Sequence, residues 1–242
     1  MIAFFANPMT LATSQLAGSY KTTGPLVNLL NDLPNMKWKS DNANDNIVVS
    51  LNGASLDTVA LWGSNLTASQ TVRIRIGPNA DGTGAVYDAT IQGSENTLSL
   101  LPQAYTGAYL RLDFNRGSLA QVEVSRLILS MRLEFGGISQ LAERGLEDQT
   151  TSQRGANWSV FDLYKTLTTW KFTIDDLTDD DWFPKWEPFI RDVGISKGFI
   201  FVPYYPSPYL NQLACFARFS SSPKTTWTTG VDMKLDVSLL SI

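Results

Sequence analysis

In the stretch TVRIRIG, Thr71 to Gly77, Val72, Ile74 and Ile76 point one way while Arg73 and Arg75 point the other. AYLRLDF repeats the pattern, with Leu110, Leu112 and Phe114 opposed to Tyr109, Arg111 and Asp113. A period of two demands extended strands with one buried and one wet face, because successive side chains leave opposite sides of a strand. Turn-forming clusters separate these segments: Asn52-Gly53, the run GPNADGTG from Gly77 to Gly84, and Asn115-Arg116-Gly117. Half-wet strands at such spacing, with no helical segment between them, predict an antiparallel sandwich or jelly roll over roughly residues 35–135. They argue against a parallel sheet there, since parallel strands are covered on both faces.

The run AQVEVSRLILSMRLEF carries a second constraint. Its first apolar face is Val122 and Val124; from Leu127 the face becomes Leu127, Leu129, Met131, Leu133 and Phe135, one residue out of phase. Such a slip marks either a β-bulge or a strand that leaves one sheet to join another. We place a domain boundary just after it, at Gly136-Gly137, giving a sandwich domain over residues 1–135 and a smaller β-rich domain over residues 136–242. In the second half GFIFVPYY, LACFARF and VDMKLDVSLLSI read as strands, the last with Met233, Leu235, Val237 and Leu239 on one face. One helix, near residues 178–193, is inserted among them. There is no internal repeat, and no low-complexity segment beyond the short corner VPYYPSPY.

The residues available for chemistry are few. The chain has no histidine, which removes Ser-His and Cys-His pairs, histidine-bearing metal sites and the usual general base near neutral pH. The one cysteine, Cys215, shares a strand face with Leu213, Ala217 and Phe219 and reads as a small buried apolar residue, so no disulfide forms within the chain. A net charge of −4 with no basic stripe gives no field for nucleic acid. The amino end MIAFFANP lacks a basic region and is not read as a signal peptide, and no segment has the apolar length of a membrane helix. The expected folding compartment is therefore a cytosol, where the sequons at Asn65 and Asn157 carry no glycan.

TIDDLTDDDW, Thr173 to Trp182, concentrates five aspartates: Asp175, Asp176, Asp179, Asp180 and Asp181. Aligned as a calcium loop from Asp176, it offers Thr178, Asp180 and Glu187 as further oxygen donors, but Asp181 stands where the sharp turn needs glycine, and Pro184 and Pro188 interrupt the loop and its exit. A glycosidase needs two carboxyl groups facing each other across a cleft with one desolvated, which neighbouring solvated aspartates do not supply. The order fits a helix start better. Thr178 serves as N-cap, Asp179, Asp180 and Asp181 occupy the first turn where the helix dipole favours negative charge, and Trp182, Phe183, Trp186, Phe189 and Ile190 follow as an apolar stripe. The two prolines make this helix short, kinked or partly 3₁₀.

Two further stretches stand out. VPYYPSPY sets Tyr204, Tyr205 and Tyr209 among three prolines; such tyrosines stack on sugar rings or anchor protein interfaces, and interface or loop packing is the preferred reading. In LWGSNLT, Gly63 and Asn65 fit a tight turn that the Asn65 side chain caps.

In context, NIVVSLNGASLDTVALWGSNLTASQTVRIRIGPNADGT resembles the discoidin or galactose-binding type of jelly roll. The features that carry the likeness are the approach MKWKS with Trp38, the strand LDTVAL, and a turn with Asn79, Asp81 and Gly82. The resemblance covers roughly residues 30–135 and transfers no sugar-binding residue, because those of such modules lie on variable loops. Residues from about 136 to 242 are similar to tail-tip proteins of tailed bacteriophages, of the distal tail type, through LTTWKFTI, LTDDDWFPKWEPFIRDVG and GFIFVPYY. That resemblance implies a small barrel with a capped helix that packs into a ring. Proteins of that type begin with the ring-forming domain; here the jelly-roll half comes first. The expected fold is therefore mainly β, an N-terminal antiparallel jelly-roll sandwich followed by a smaller β-barrel-like α+β domain with one inserted helix. The expected role is a non-enzymatic virion structural protein of a tail tip or baseplate. Its partners would be itself as a symmetric homo-oligomer, the tail tube, the tail hub and other baseplate proteins, and in the alternative reading a host-surface glycan bound by a carbohydrate-binding module. No catalytic, cofactor-binding or metal residue is assigned, no cofactor is expected, and nucleic acid and membrane insertion are excluded from the expectation.

Overall fold

The computed structural model describes residues 2–41, 45–136, 138, 141–148, 150–154, 159–162, 166–227 and 232–242, with the backbone alone for 151–154 and 159–162. Gly137 at the expected boundary and the sequon at Asn157 lie outside the described residues. The chain divides into two compact units. One comprises residues 6–132 together with Tyr209–Gln212; the other comprises residues 1–5, Leu133–Pro208 and Leu213–Ile242.

The chain opens with β1 (Ile2–Ala6) and then builds the first unit from β2 (Leu16–Ala17), β3 (Trp38–Lys39), β4 (Asn46–Ser50), β5 (Ser55–Trp62), β6 (Thr71–Gly77), β7 (Tyr87–Gln92), β8 (Thr97–Thr106), β9 (Tyr109–Asn115), β10 (Glu123–Val124) and β11 (Arg126–Ser130). A five-stranded sheet in the order β2-β4-β9-β6-β7 and a three-stranded sheet β11-β5-β8 bury their apolar faces in one core. All the strand pairs with a defined register in these sheets are antiparallel. The alternating residues fall where their period places them: Ile74 pairs Leu112 and Ile76 pairs Leu110, all buried. This is the antiparallel sandwich read from the sequence. The phase slip is a change of sheet, because β10 pairs β3 whereas β11 pairs β5. Between them Ser125 is buried and spans the step, its N–H donating to the Trp62 carbonyl at 3.1 Å and its hydroxyl to that of Pro34 at 2.8 Å.

The second unit adds β12 (Arg132–Phe135), β13 (Glu143–Glu147), β14 (Thr151–Arg154), β15 (Ser159–Asp162), β16 (Leu167–Leu177), β17 (Phe199–Tyr205), β18 (Cys215–Phe219), β19 (Lys224–Trp227) and β20 (Met233–Ser241), with one helix over residues 179–193 between β16 and β17. Its main sheet runs β12-β1-β17-β18-β20-β16-β13, with β19 also on β20. The first strand thus belongs here. Ala3 and Phe5 alternate into this unit's aromatic core, so the sandwich interrupts in sequence a sheet that begins before it. In a flat sheet β12 and β16, five strand intervals apart, would stand about 24 Å from each other. Yet Phe135 and Phe172 stack across the core with ring centroids 6.5 Å apart and planes 7° from parallel. The sheet is curled, barrel-like, around its own aromatic side chains.

The helix closes that core. Trp186 sets its ring edge-on to Phe5 and Phe135 at 5.7 and 5.4 Å, and Phe189 and Val193 are buried beside it. Residues Trp182–Trp186 are π-helical rather than 3₁₀, which corrects one expectation. Proline lacks an N–H, and a widened turn accommodates Pro184 and Pro188, with the Glu187 N–H donating five residues back to the Trp182 carbonyl. Phe183, expected in the apolar stripe, points outward and is 54% exposed, because the wider turn rotates it off the buried face.

Candidate functional site

The aspartate run splits into two structural devices. Asp175 and Asp176 form a β-bulge in β16, where the register to β20 shifts between Ile174 and Leu177. Asp176 adopts φ 57°, a left-handed conformation that Asp and Asn tolerate better than other non-glycine residues. Asp175 pairs with Lys234 at 3.0 Å, and the hydrogen bond and charge of Asp175 raise the pKa of the Lys234 ammonium. Asp179, Asp180 and Asp181 are the first helical turn, as the dipole argument expects. Thr178 stands at the N-cap position, but its hydroxyl donates to the Asp181 carboxylate at 3.0 Å rather than accepting from the helix backbone. Lys185, one turn on, reaches Asp181 at 2.8 Å. The Lys185 hydrogen bond, helped by Thr178, holds the Asp181 pKa below the ordinary carboxylate value. Among the described residues no group of acidic, histidine or cysteine side chains is arranged to hold a metal ion.

The tyrosines of the corner are divided between the two units. Tyr204 and Tyr205 end β17 and are half-buried in the curled unit. Tyr209, 60% exposed, belongs to the segment Tyr209–Gln212 that the sandwich unit takes up. There the Asn211 side-chain oxygen accepts the Leu98 N–H at 3.3 Å. Cys215 is buried in the curled core, and desolvation pushes its thiol up to about 12, so it is inert as a nucleophile at neutral pH.

In the sandwich, LWGSNLT is more than a turn. The Asn65 amide donates to the Gln121 carbonyl and its oxygen accepts the Glu123 N–H, both at 2.9 Å, so one side chain clamps the approach to β10. Around that clamp, half-buried polar side chains meet. Lys21 donates to Gln121, Gln121 donates to Glu123, and Lys39 lies 3.5 Å from Glu123. Residues about 100 positions apart form this cluster, and only Asn65 was marked by the sequence. It presents amine, amide and carboxylate groups together at one end of the strands, a set suited to hydroxyl-rich ligands.

The solvent face of the five-stranded sheet carries an ion-pair network: Arg73 with Asp88 at 2.6 Å, and Arg75 and Arg111 both on Asp113 at 2.6 and 2.8 Å. The Asn79-Asp81-Gly82 turn folds over it. Gly82 has φ 80°, and a Cβ there would fall 2.5 Å from the Arg75 guanidinium carbon, so glycine alone lets the loop close on Arg75. Within LDTVAL, Asp57 is buried, accepts the Arg132 N–H at 2.9 Å and pairs with the Arg132 side chain at 3.2 Å. The LDTVAL strand and the Asn79-Asp81-Gly82 turn thus each make contacts that hold the sandwich together.

Open concavities lie on the described part of the curled unit. One, about 550 Å³, lies on the outer face of β13, β16 and β20 and is lined by Glu143, Lys171, Thr173, Lys234, Asp236 and Ser238 among others. Another, about 430 Å³, is lined by Glu134, Phe135, Ile138, Ile174, Asp176 and Trp186 among others.

No protein-family model matches the chain, and the comparison with curated proteins returns no match. Among solved structures, the fold of about half of the chain is similar to carbohydrate-binding modules. The family 32 module of Clostridium perfringens NanJ in complex with galactose is 14% identical with a TM-score of 0.41, covering 52% of this chain and 98% of that one. The family 32 module of AlyQ, in complex with 4,5-unsaturated mannuronic acid, is 18% identical with a TM-score of 0.38 over 50% and 97%. Chitosan-binding module 1 from a Paenibacillus chitosanase/glucanase is 17% identical with a TM-score of 0.40 over 52% and 98%. The class that the strand order and paired sheets define is a mainly β protein, with an antiparallel sandwich and a further β region bearing one helix.

Proposed function

We propose that the chain is a non-enzymatic structural component of a bacteriophage tail tip or baseplate. In this reading the curled unit assembles with copies of itself into a ring that joins the tail tube to the adsorption apparatus. The sandwich decorates that ring and meets neighbouring tail proteins, and the protein resides in the virion tail after folding in the host cytoplasm. The observation that carries the reading is the strand at the end of the curled sheet. β13 ends the sheet order among the described residues, and Leu141 and Leu146, at its entrance and within it, are 87% and 73% exposed. A terminal strand that carries exposed apolar side chains is a template for a strand of another chain, and a head-to-tail contact of that sort closes into a ring when its rotation permits. The run LTTWKFTI, LTDDDWFPKWEPFIRDVG and GFIFVPYY, on which the sequence resemblance rests, folds as the consecutive β16, helix and β17, which supports the same reading. A mass-spectrometric inventory of virions from the encoding phage, together with sedimentation of the purified chain, tests it. The expected result is presence in the tail and assembly that Leu146→Lys abolishes; absence from virions would overturn it.

The second reading, a carbohydrate-binding module that touches host-surface glycans, is favoured by the polar cluster of Lys21, Lys39, Gln121 and Glu123 beside Asn65. It predicts saccharide binding that weakens in Gln121→Ala, or in Tyr204→Ala, Tyr205→Ala or Trp227→Ala if the curled unit holds the sugar. A flat glycan array would count against it.

A further inference from the structure

The turn that joins β4 to β5 carries Asn52-Gly53, the one Asn-Gly step in the sequence. The Ala54 N–H donates to the Leu51 carbonyl at 2.9 Å, and both central residues have positive φ, 51° at Asn52 and 79° at Gly53. These are the marks of a type I′ turn. Asn52 and Gly53 are exposed, and a Cβ placed on Gly53 would meet no atom within 4 Å. The Gly53 N–H donates to no group among the described residues. The Ser50 hydroxyl donates to the Asn52 side-chain oxygen at 2.9 Å. A free backbone nitrogen, an amide carbonyl and a donor to that carbonyl thus meet in one exposed turn.

We propose that Asn52 is a site of deamidation in the folded chain. The deprotonated Gly53 nitrogen attacks the Asn52 side-chain carbonyl carbon and the bond from that carbon to the side-chain nitrogen breaks. Ammonia leaves, taking up through solvent the proton that the Gly53 nitrogen lost. The product is a five-membered succinimide, which water opens at either carbonyl to an aspartyl or an isoaspartyl residue, with no oxidation or reduction. The attack does not require the turn to come undone. Flipping the central peptide converts type I′ into type II′, taking ψ of Asn52 from about +30° to about −120° and φ of Gly53 to about −80°. The closing bond between Ala54 and Leu51 is common to both types, glycine accepts either sign of φ, and the flipped peptide turns its nitrogen toward the side-chain carbon. As negative charge develops on the Asn52 side-chain oxygen, the Ser50 hydroxyl is already aimed at it. The one Asp-Gly step, Asp81-Gly82, is the contrast. Its glycine N–H already donates to the Asn79 carbonyl at 3.0 Å. The Asp81 carboxylate accepts the Thr83 N–H and hydroxyl at 2.9 and 2.7 Å, which hold its pKa below the ordinary value. An ionised carboxylate offers no leaving group, so the same chemistry is blocked there. At Asn52 the change puts a carboxylate on the turn, and the isoaspartyl form lengthens the main chain by a methylene. The inference stands on the turn and does not depend on the tail-tip reading.

The test incubates the full-length folded chain at mildly alkaline pH. Anion exchange follows the added charge, an ammonia assay follows the leaving group, and fragmentation mass spectrometry locates the change. Conversion is expected at Asn52 ahead of every other asparagine, with aspartyl and isoaspartyl products, matching ammonia, and no isoaspartate at Asp81. The rate should rise with pH, since the attacking group is the deprotonated amide. Ser50→Ala should slow conversion about two- to tenfold, the factor that one neutral hydrogen bond is worth, and Ser50→Thr, which keeps the hydroxyl, should restore it. Asn52 left intact in the folded chain while the urea-unfolded chain converts it, or loss spread evenly over the other asparagines, would overturn the proposal. An unchanged or faster rate in Ser50→Ala would overturn the role given to Ser50.

Discussion

Replacing Phe5 with alanine should unfold the curled unit while leaving the sandwich in place. The Phe5 ring lies 5.2 to 6.4 Å from seven other rings, those of Phe135, Phe172, Trp186, Phe189, Phe199, Phe201 and Phe219. Its residue is fully buried. A buried Phe→Ala change costs about 3–5 kcal/mol, the upper part of that range applying where the surroundings cannot collapse. Here the neighbouring rings are fixed on β12, β16, β17, β18 and the helix, so a loss of about 4–5 kcal/mol is expected. A unit of this size has a net stability of only about 5–15 kcal/mol, which makes the variant marginal or unfolded in that unit. Hydrogen exchange read by mass spectrometry distinguishes the units. Peptides from β16, β17 and β20 should lose protection while those from β6 and β9 keep it. A change below about 1 kcal/mol, or equal loss of protection in β6 and β9, would refute the assignment of the first strand to the curled core.

Asp57→Ala should cost the sandwich about 3–5 kcal/mol, since it removes the buried carboxylate that pairs with the half-buried Arg132 side chain; urea melts of the wild type and variant read the difference. Asn65→Ala removes two hydrogen bonds to the approach of β10 and should cost about 1–3 kcal/mol in the same melts. Asp181→Asn should cost about 0.5 kcal/mol, the scale of an exposed i,i+4 pair. Because the folded-state pKa of Asp181 is lowered, its contribution is present above the unfolded carboxylate pKa and is lost as pH falls through the folded value, so the wild type and variant should converge in stability under acid. Cys215 should resist iodoacetamide in the native chain at neutral pH and react once the chain is unfolded in guanidinium, because burial holds its thiol at about 12.

The parts of this fold that show in the sequence are those decided locally. Val72, Ile74 and Ile76 alternate because one face of β6 is covered and the other is wet, and the same holds for Met233, Leu235, Val237 and Leu239 on β20. The helix start at residue 179 is marked by the three aspartates of its first turn. What the sequence hides is decided at long range. IAFFA has no alternation because four of its five residues are buried, so nothing local says which sheet it joins. The π turn is hidden for a different reason: proline announces an interruption but not whether the turn tightens or widens. Asp175-Asp176 reads like helix-start acid and is a bulge, since its left-handed residue is an aspartate rather than the glycine that usually marks one. The polar cluster at Asn65 joins side chains from four separate segments, and no spacing in the chain foretells it.

Self-assembly through the curled unit is the central proposal, and native mass spectrometry of the purified chain over a range of concentrations tests it most directly. The proposal predicts one discrete cyclic oligomer that is lost in Leu146→Lys. A monomer at every concentration would contradict it.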